Sequence, residues 1–175
     1  SPRRLSLIGD LRQAIEQGLL VLHYQPQVSL RAGRLVGVEA LVRWSHPSFG
    51  PLSPDQFIGL AEQTGLIRPL TYWAIDTALA QRKAWEVDGP KIPIAVNVSP
   101  KTLQDSDLCQ TVDLLLKKHG VSPKVLELEI TESAIMGDPA RSMDNLLRLG
   151  EMGVQMSIDD FGTGYSSMGR LRKLP

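Results

Sequence analysis

The chain has 175 residues, 42% hydrophobic and 22% charged, and its nineteen basic and nineteen acidic side chains cancel. That is the composition of an ordinary globular domain long enough to bury a core, and it argues against a general nucleic-acid surface and against a disordered acidic tail. Cys109 is the only cysteine, so an internal disulfide and a zinc–thiolate cluster are both excluded.

The N-terminal SPRRLSLIGD lacks the apolar stretch of a signal peptide, and the other apolar runs are short and broken by charge. The expected location is the cytoplasm, or the cytoplasmic face of a membrane-tethered parent. LIGDLRQAIEQG (7–18) reads as a leading helix, with Leu7, Leu11 and Ile15 at helical spacing and Gly18 as its stop. Strand-like runs follow at VLHYQPQVS (21–29), LVGVEALVRW (35–44), IPIAVNVS (92–99), VLELEITES (125–133) and VQMSIDD (154–160). Between them lie the helical runs 54–65, 68–86, 107–120 and 141–153, and SSMGRLRKLP (166–175) reads as the start of a fifth such helix. Strands separated by helices of this length indicate parallel βα units in one domain. Pro26 marks the first strand as the least regular. Such a chain forms either an open five-stranded α/β sheet or the first five units of an eight-unit barrel.

Strand parity separates these possibilities. Val38, Ala40, Val42 and Trp44 share one face of the second strand, opposite Gly37, Glu39, Leu41 and Arg43. Ile94, Val96 and Val98 oppose Ala95, Asn97 and Ser99; Leu126, Leu128 and Ile130 oppose Glu127, Glu129 and Thr131; Met156 and Ile158 oppose Gln155, Ser157 and Asp159. One face is apolar throughout and the other carries acids and amides. An open sheet covered by helices on both sides needs two apolar faces. A barrel tolerates a polar interior near its mouth, so the pattern favours a barrel and directs Gln25, Glu39, Arg43, Asn97, Glu129 and Asp159 into one central space. Asn97, Glu129 and Asp159 fall late in their strands, where barrel active sites lie.

Crowded carboxylates need compensation. Ion pairs to Arg43, Lys101 and other cations are one solution; divalent cations are the other. Four acids, Glu39, Glu129, Asp159 and Asp160, converge while Arg43 is the one cation on their strand faces, which favours metal. An all-oxygen set without cysteine or a histidine pair suits Mg²⁺ or Mn²⁺, and adjacent Asp159 and Asp160 could reach two ions from one strand end. Gly162 and Gly164 in the loop that follows need mean no more than a tight turn. His23 shares the parity of Gln25 but reads as structural, His46 and His119 fall in a loop and at a helix end, and Trp73 and Trp85 anchor the long helix to the sheet. Lys117 and Lys118 suit a helix C-terminus.

VEALVRW, HPSFGPLSPDQFIGLAEQTGLI, NVSP, ELEITES and SIDDFGTGYSS, in this order, closely resemble the EAL-domain phosphodiesterases that hydrolyse the bacterial second messenger cyclic di-GMP. The resemblance runs from about Leu5 to Pro175. It implies a (β/α)8 TIM-type barrel with an irregular, antiparallel first strand. It also implies Glu39, Asn97, Glu129, Asp159 and Asp160 as metal ligands, with catalysis resting on Glu39, Asp159 and Asp160. Gln25, Leu41 and Arg43 would contact the dinucleotide, and Glu132 would steady the DDFGTGYSS loop, through which the complete domain would form a homodimer. The cofactors implied are two Mg²⁺ or Mn²⁺ ions, and the product is linear pGpG. The domain organisation expected is a leading or linker helix over 1–18 and five βα units over 19–175, following an upstream GGDEF or sensor module in the parent. The family's catalytic lysine and its last glutamate and glutamine have no counterpart in this sequence, and Lys173 precedes the place for that lysine. The chain is therefore expected to be a C-terminally incomplete piece, inactive by itself, of an active enzyme. Two alternatives from other classes are a receptor that binds cyclic di-GMP without cleaving it and a different metal-dependent barrel hydrolase.

Overall fold

The computed structural model describes residues 1–159 and the backbone of Leu171–Lys173. Helix α1 (Pro2–Gln17) is capped by the Ser1 side chain and closed by Gly18 at φ 64°, a left-handed position that glycine occupies without a Cβ clash. It starts earlier than the apolar periodicity indicates, because a serine cap followed by proline is itself a helix start.

Strands β1 (Val21–Ser29) and β2 (Arg34–His46) form an antiparallel hairpin with a bulge between Gln27 and Val28. This corrects the all-parallel reading drawn from the residues and agrees with the family resemblance. Only residues 30–33 connect the strands, too few for the crossover a parallel pair requires. The short strand β3 (Gly50–Leu52) folds back on the end of β2, so His46 ends a strand rather than lying in a loop. Helix α2 (Pro54–Thr64) opens with the Ser53 N–H donating to the Gln56 side chain, and helix α3 (Ile67–Asp88) is the long crossover.

Strands β4 (Ile94–Asn97), β5 (Leu126–Thr131) and β6 (Gln155–Asp159) then add in parallel. Between them run helices α4 (Pro100–Leu103), α5 (Leu108–His119), α6 (Glu132–Gly137) and α7 (Pro139–Met152), with a 3-10 turn at Pro123–Val125. The sheet order is β1-β2-β4-β5-β6-β7, the last strand being β7 (Leu171–Lys173), antiparallel to β6. The expected fifth helix thus fails at these three residues: the outer edge of β6 offers unpaired backbone groups, and an extended segment satisfies them. The rest of that expected helix lies outside the described residues.

The apolar parity face lies against the helices. Ile94, Val96, Leu126, Leu128 and Ile130 pack with Ile75 and Leu79 of α3, Val112 and Leu116 of α5, and Leu146 and Leu149 of α7. Each fully buried aliphatic side chain of this kind contributes about 1.5–3 kcal/mol. Trp85 meets Tyr24 of β1 edge-on at 5.2 Å, so the long helix is indeed anchored to the sheet by its tryptophan. A second cluster joins Leu11 and Ala14 of α1 to Trp44, Leu52, Phe57 and Leu70. His46 Nδ1 accepts from the backbone N–H groups of Ser48 and Phe49, which leaves Nε2–H to donate to Asp10 at 2.7 Å.

Helices α3 and α5 are stapled by Asp76, whose Oδ1 lies 2.6 Å from His119 Nε2 and 3.0 Å from Lys118 Nζ. Burial opposes ionisation of Asp76, but His119 and Lys118 outweigh it and hold the carboxyl below its ordinary value. The stabilisation is therefore present above the ordinary carboxylate range and lost as pH falls through the lowered value. Asp76→Asn should lower the melting temperature at neutral pH by about 2–4 °C, with the gap closing as pH falls below the ordinary carboxylate range; circular-dichroism melts from neutral to acid pH check it.

Candidate functional site on the acidic face of the sheet

The polar parity face gathers the site because the strands run in register. Glu39 of β2 faces Gln25 across the hairpin and Ala95 on the parallel side. Asn97 of β4 lies beside Glu129 of β5, which lies beside Ser157 of β6, and Thr131 lies beside Asp159. In-register neighbours of equal parity share a face, so one surface collects all of these side chains. Asn97 ends β4, and the Ser99 side chain starts α4 immediately beyond by accepting from the Thr102 N–H.

The acids on this face are out of water. Glu39 is 0% exposed, and Glu127, Glu129 and Asp159 are 5%, 2% and 2% exposed. Asn97 Nδ2 donates to Glu39 Oε2 at 3.1 Å, and Gln27 Nε2 donates to Glu129 Oε1 at 3.3 Å. Burial pushes Glu39 above its ordinary pKa; the Asn97 amide and the Arg43 charge oppose the rise, and Asp159 adds to it. Glu129 is pushed up to about 8, first by burial and then by the charges of Glu39, Glu127 and Asp159.

Neither Glu39 nor Glu129 forms an ion pair among the described residues. Lys101, a candidate counter-charge, instead donates to the Glu62 carbonyl. Arg43 is half-buried and gives one N–H to the Val42 carbonyl at 3.1 Å. It lines a crevice with Leu41, Pro54, Ile58, Ile67 and Asn97, so the structure brings Leu41, Arg43 and Asn97 together at one opening. Gln25 and His23 are exposed on β1. Glu132 stands exposed in the first turn of α6, and both Asp160 and the loop it was expected to steady lie outside the described residues.

Two members of this face carried no role in the sequence reading. Glu127 has the parity of Glu129 one pair earlier, a signal that was present but unused. Gln27 has the parity of Gln25, yet its reach to Glu129 depends on the antiparallel pairing of β1.

The donor set fits a hard divalent cation. Glu39 Oε1 and Ser157 Oγ are buried on this face without a hydrogen-bond partner among the described residues, and the surrounding donors are carboxylate and amide oxygens. As they stand, no three His, Cys, Asp or Glu side chains among the described residues are drawn together tightly enough to hold one ion. Asn97 can add an oxygen if its amide is turned.

Fold and site together define a mixed α/β domain, a partial barrel whose sheet carries one acidic, oxygen-lined face. The chain belongs to the EAL domain family, which it matches over residues 8–175. It is 47% identical over 174 residues to the bifunctional diguanylate cyclase/cyclic di-GMP phosphodiesterase MucR of Pseudomonas aeruginosa, covering 98% of this chain and 25% of that protein. It is 42% identical over 174 residues to the cyclic di-GMP phosphodiesterase NbdA of the same organism, covering 99% and 22%. The solved MucR phosphodiesterase in complex with c-di-GMP superposes with a TM-score of 0.84 at 47% identity, over 93% of this chain and 66% of that one. The chain thus spans about a quarter of the length of these curated relatives. No helix among the described residues is long and apolar enough to cross a membrane.

Because the folded pKa of Glu129 is raised, its contribution is fully present below the ordinary value and is lost as pH rises towards 8. In metal-free protein, Glu129→Gln should leave the melting temperature near pH 4.5 unchanged and raise it at pH 8 by about 4 °C or more, read by thermal melts at both values. A variant no more stable than the parent at pH 8 would remove the like-charge crowding inferred here.

Proposed function

We propose that the protein carrying this chain is a cyclic di-GMP phosphodiesterase that opens the cyclic dinucleotide to linear pGpG in bacterial second-messenger signalling. The observation that supports it most is the gathering of buried Glu39, Glu129 and Asp159 with half-buried Asn97 on one sheet face, a carboxylate oxygen of Glu39 being left unpartnered among the described residues. The identity to named phosphodiesterases, across nearly the whole of this chain, supports the substrate.

In this reading Glu39, Asn97, Glu129 and Asp159 would hold divalent cations, Mg²⁺ or Mn²⁺, with Asp160 serving a second ion. When bound, such cations supply Lewis acidity that activates water and stabilises the leaving oxygen. Arg43, at the mouth of the crevice, orients a phosphate oxygen of the substrate through its guanidinium. Leu41 and Gln25 contact the dinucleotide on either side. Ile58, Ile67 and Leu70 give this crevice a mostly apolar lining, in which Arg43 and Asn97 are the long polar side chains. Hydrolysis breaks one phosphoester bond, the water oxygen going to phosphorus and its proton to the departing hydroxyl.

The regulatory parts belong to the same proposal: residues 1–18 as a lead-in helix, an upstream GGDEF or sensor module, Glu132 steadying the DDFGTGYSS loop, a homodimer formed through that loop, and action on the cytoplasmic side of the membrane. The 175-residue chain alone is expected to turn over negligible substrate, so the assay is made on the natural protein that carries it. With Mg²⁺ it should release pGpG, read by chromatography, and Glu39→Ala should reduce that release by more than about a hundredfold. Tight binding of cyclic di-GMP without product would instead assign the protein as a receptor.

A further inference from the structure

The geometry points to Gln27 as a positioning residue that fixes the Glu129 carboxylate for the candidate metal site, an inference that rests on the reading of that site given above. Gln27 lies on β1, outside the four strands that carry Glu39, Asn97, Glu129 and Asp159. Its amide nevertheless crosses to Glu129, with Nε2 3.3 Å from Oε1, and it is the one N–H donor to Glu129 among the described residues.

Three local features hold the amide there. The antiparallel register sets Gln27 opposite Gly37, and the β1 bulge begins immediately after it. A Cβ placed on Gly37 would stand 3.0 Å from Gln27 Oε1, tighter than such contacts are normally found, and 3.4 Å from the Pro93 carbonyl. The absence of a side chain at Gly37 thus leaves the Gln27 amide room that a methyl group would crowd. Gln27 is itself half-buried, which limits water as a competing donor.

The chemistry follows from the neighbours. Glu129 is surrounded by Glu39, Glu127 and Asp159, so without a directional donor its carboxylate would turn away from the other acids. An amide N–H on Oε1 fixes the plane of the carboxylate and leaves Oε2 for a cation. A charged donor in its place would neutralise the site and compete with the ion. Outer partners of metal ligands act in this manner, and losing one typically weakens metal binding by about 10–100-fold.

The test uses the natural protein and Mn²⁺ alone as probe, with binding read by electron paramagnetic resonance of the free ion and folding by circular dichroism. Gln27→Met keeps length and packing but removes the N–H, and Gln27→Leu removes both. Each should weaken the Mn²⁺ Kd by about tenfold. In turnover the KM for Mn²⁺ should rise by a similar factor while the KM for cyclic di-GMP is unchanged, a split that a loss of packing would not produce. Gly37→Ala, which crowds the amide without touching Glu129, should move the Mn²⁺ Kd in the same direction. If Gln27→Leu fails to fold, Gln27→Met decides. Glu129→Ala separates the two ways of failing. Should it bind Mn²⁺ as tightly as the parent, the metal-site reading falls and this inference with it. Should it lose the ion while folded Gln27→Met keeps the parental Kd, the site stands and the role of Gln27 is overturned.

Discussion

Carboxylates gathered out of water on one face of the sheet are the constraint on which the rest of this molecule depends. Glu39, Glu127, Glu129 and Asp159 sit on one face of one sheet because strand parity leaves them nowhere else once the opposite face is committed to aliphatic packing. Among the described residues, amides from Asn97 and Gln27 lie against two of the acids, the Arg43 charge favours ionised Glu39, and Glu129 is pushed up to about 8. These are partial remedies. An arrangement that is unfavourable in the bare protein and favourable around hard cations is what a binding site for them requires, since the ion then supplies stability that the apo state lacks.

The helical layer makes that arrangement rigid. Leu79, Val112, Leu116, Leu146 and Leu149 press on the back of the same strands, so Glu39, Glu127 and Glu129 are each fixed by packed residues one position away on their own strands. Glu129 lies between Leu128 and Ile130, both 0% exposed, and a shift of β5 would disturb core and site together. Hydrophobic packing on one face and charge crowding on the other are two aspects of one register.

The alternating strands were legible because period-two alternation is a direct record of which face meets the core. VEALVRW, IPIAVNVS and VLELEITES each name their buried and polar sides without any knowledge of neighbours. The direction of β1 was not legible from its own residues, since alternation is the same in a parallel and an antiparallel strand; the short 30–33 connection and the family resemblance carried that information. Three-residue β3 and four-residue α4 are too short to show a period, and tertiary contacts decide them. Gln27 escaped notice for a related reason. Its contact with Glu129 spans 102 positions and depends on the pairing of β1 with β2, which no local pattern encodes. His46 likewise looks like a loop residue until β3 folds back beside it and Asp10 arrives from α1.

Strand β2 serves two masters along its thirteen residues. Its middle, Val38 to Ala40, belongs to the core beneath the acids, whereas its end, Trp44 to His46, is roofed by α1. Severing the chain at Gly18 would thus do more than shorten it: Trp44 and Phe57 would be wetted, the imidazole of His46 would lose its carboxylate, and the far end of the strand that carries Glu39 would fray. The leading helix is structurally a lid on the fold's second core rather than a detachable leash.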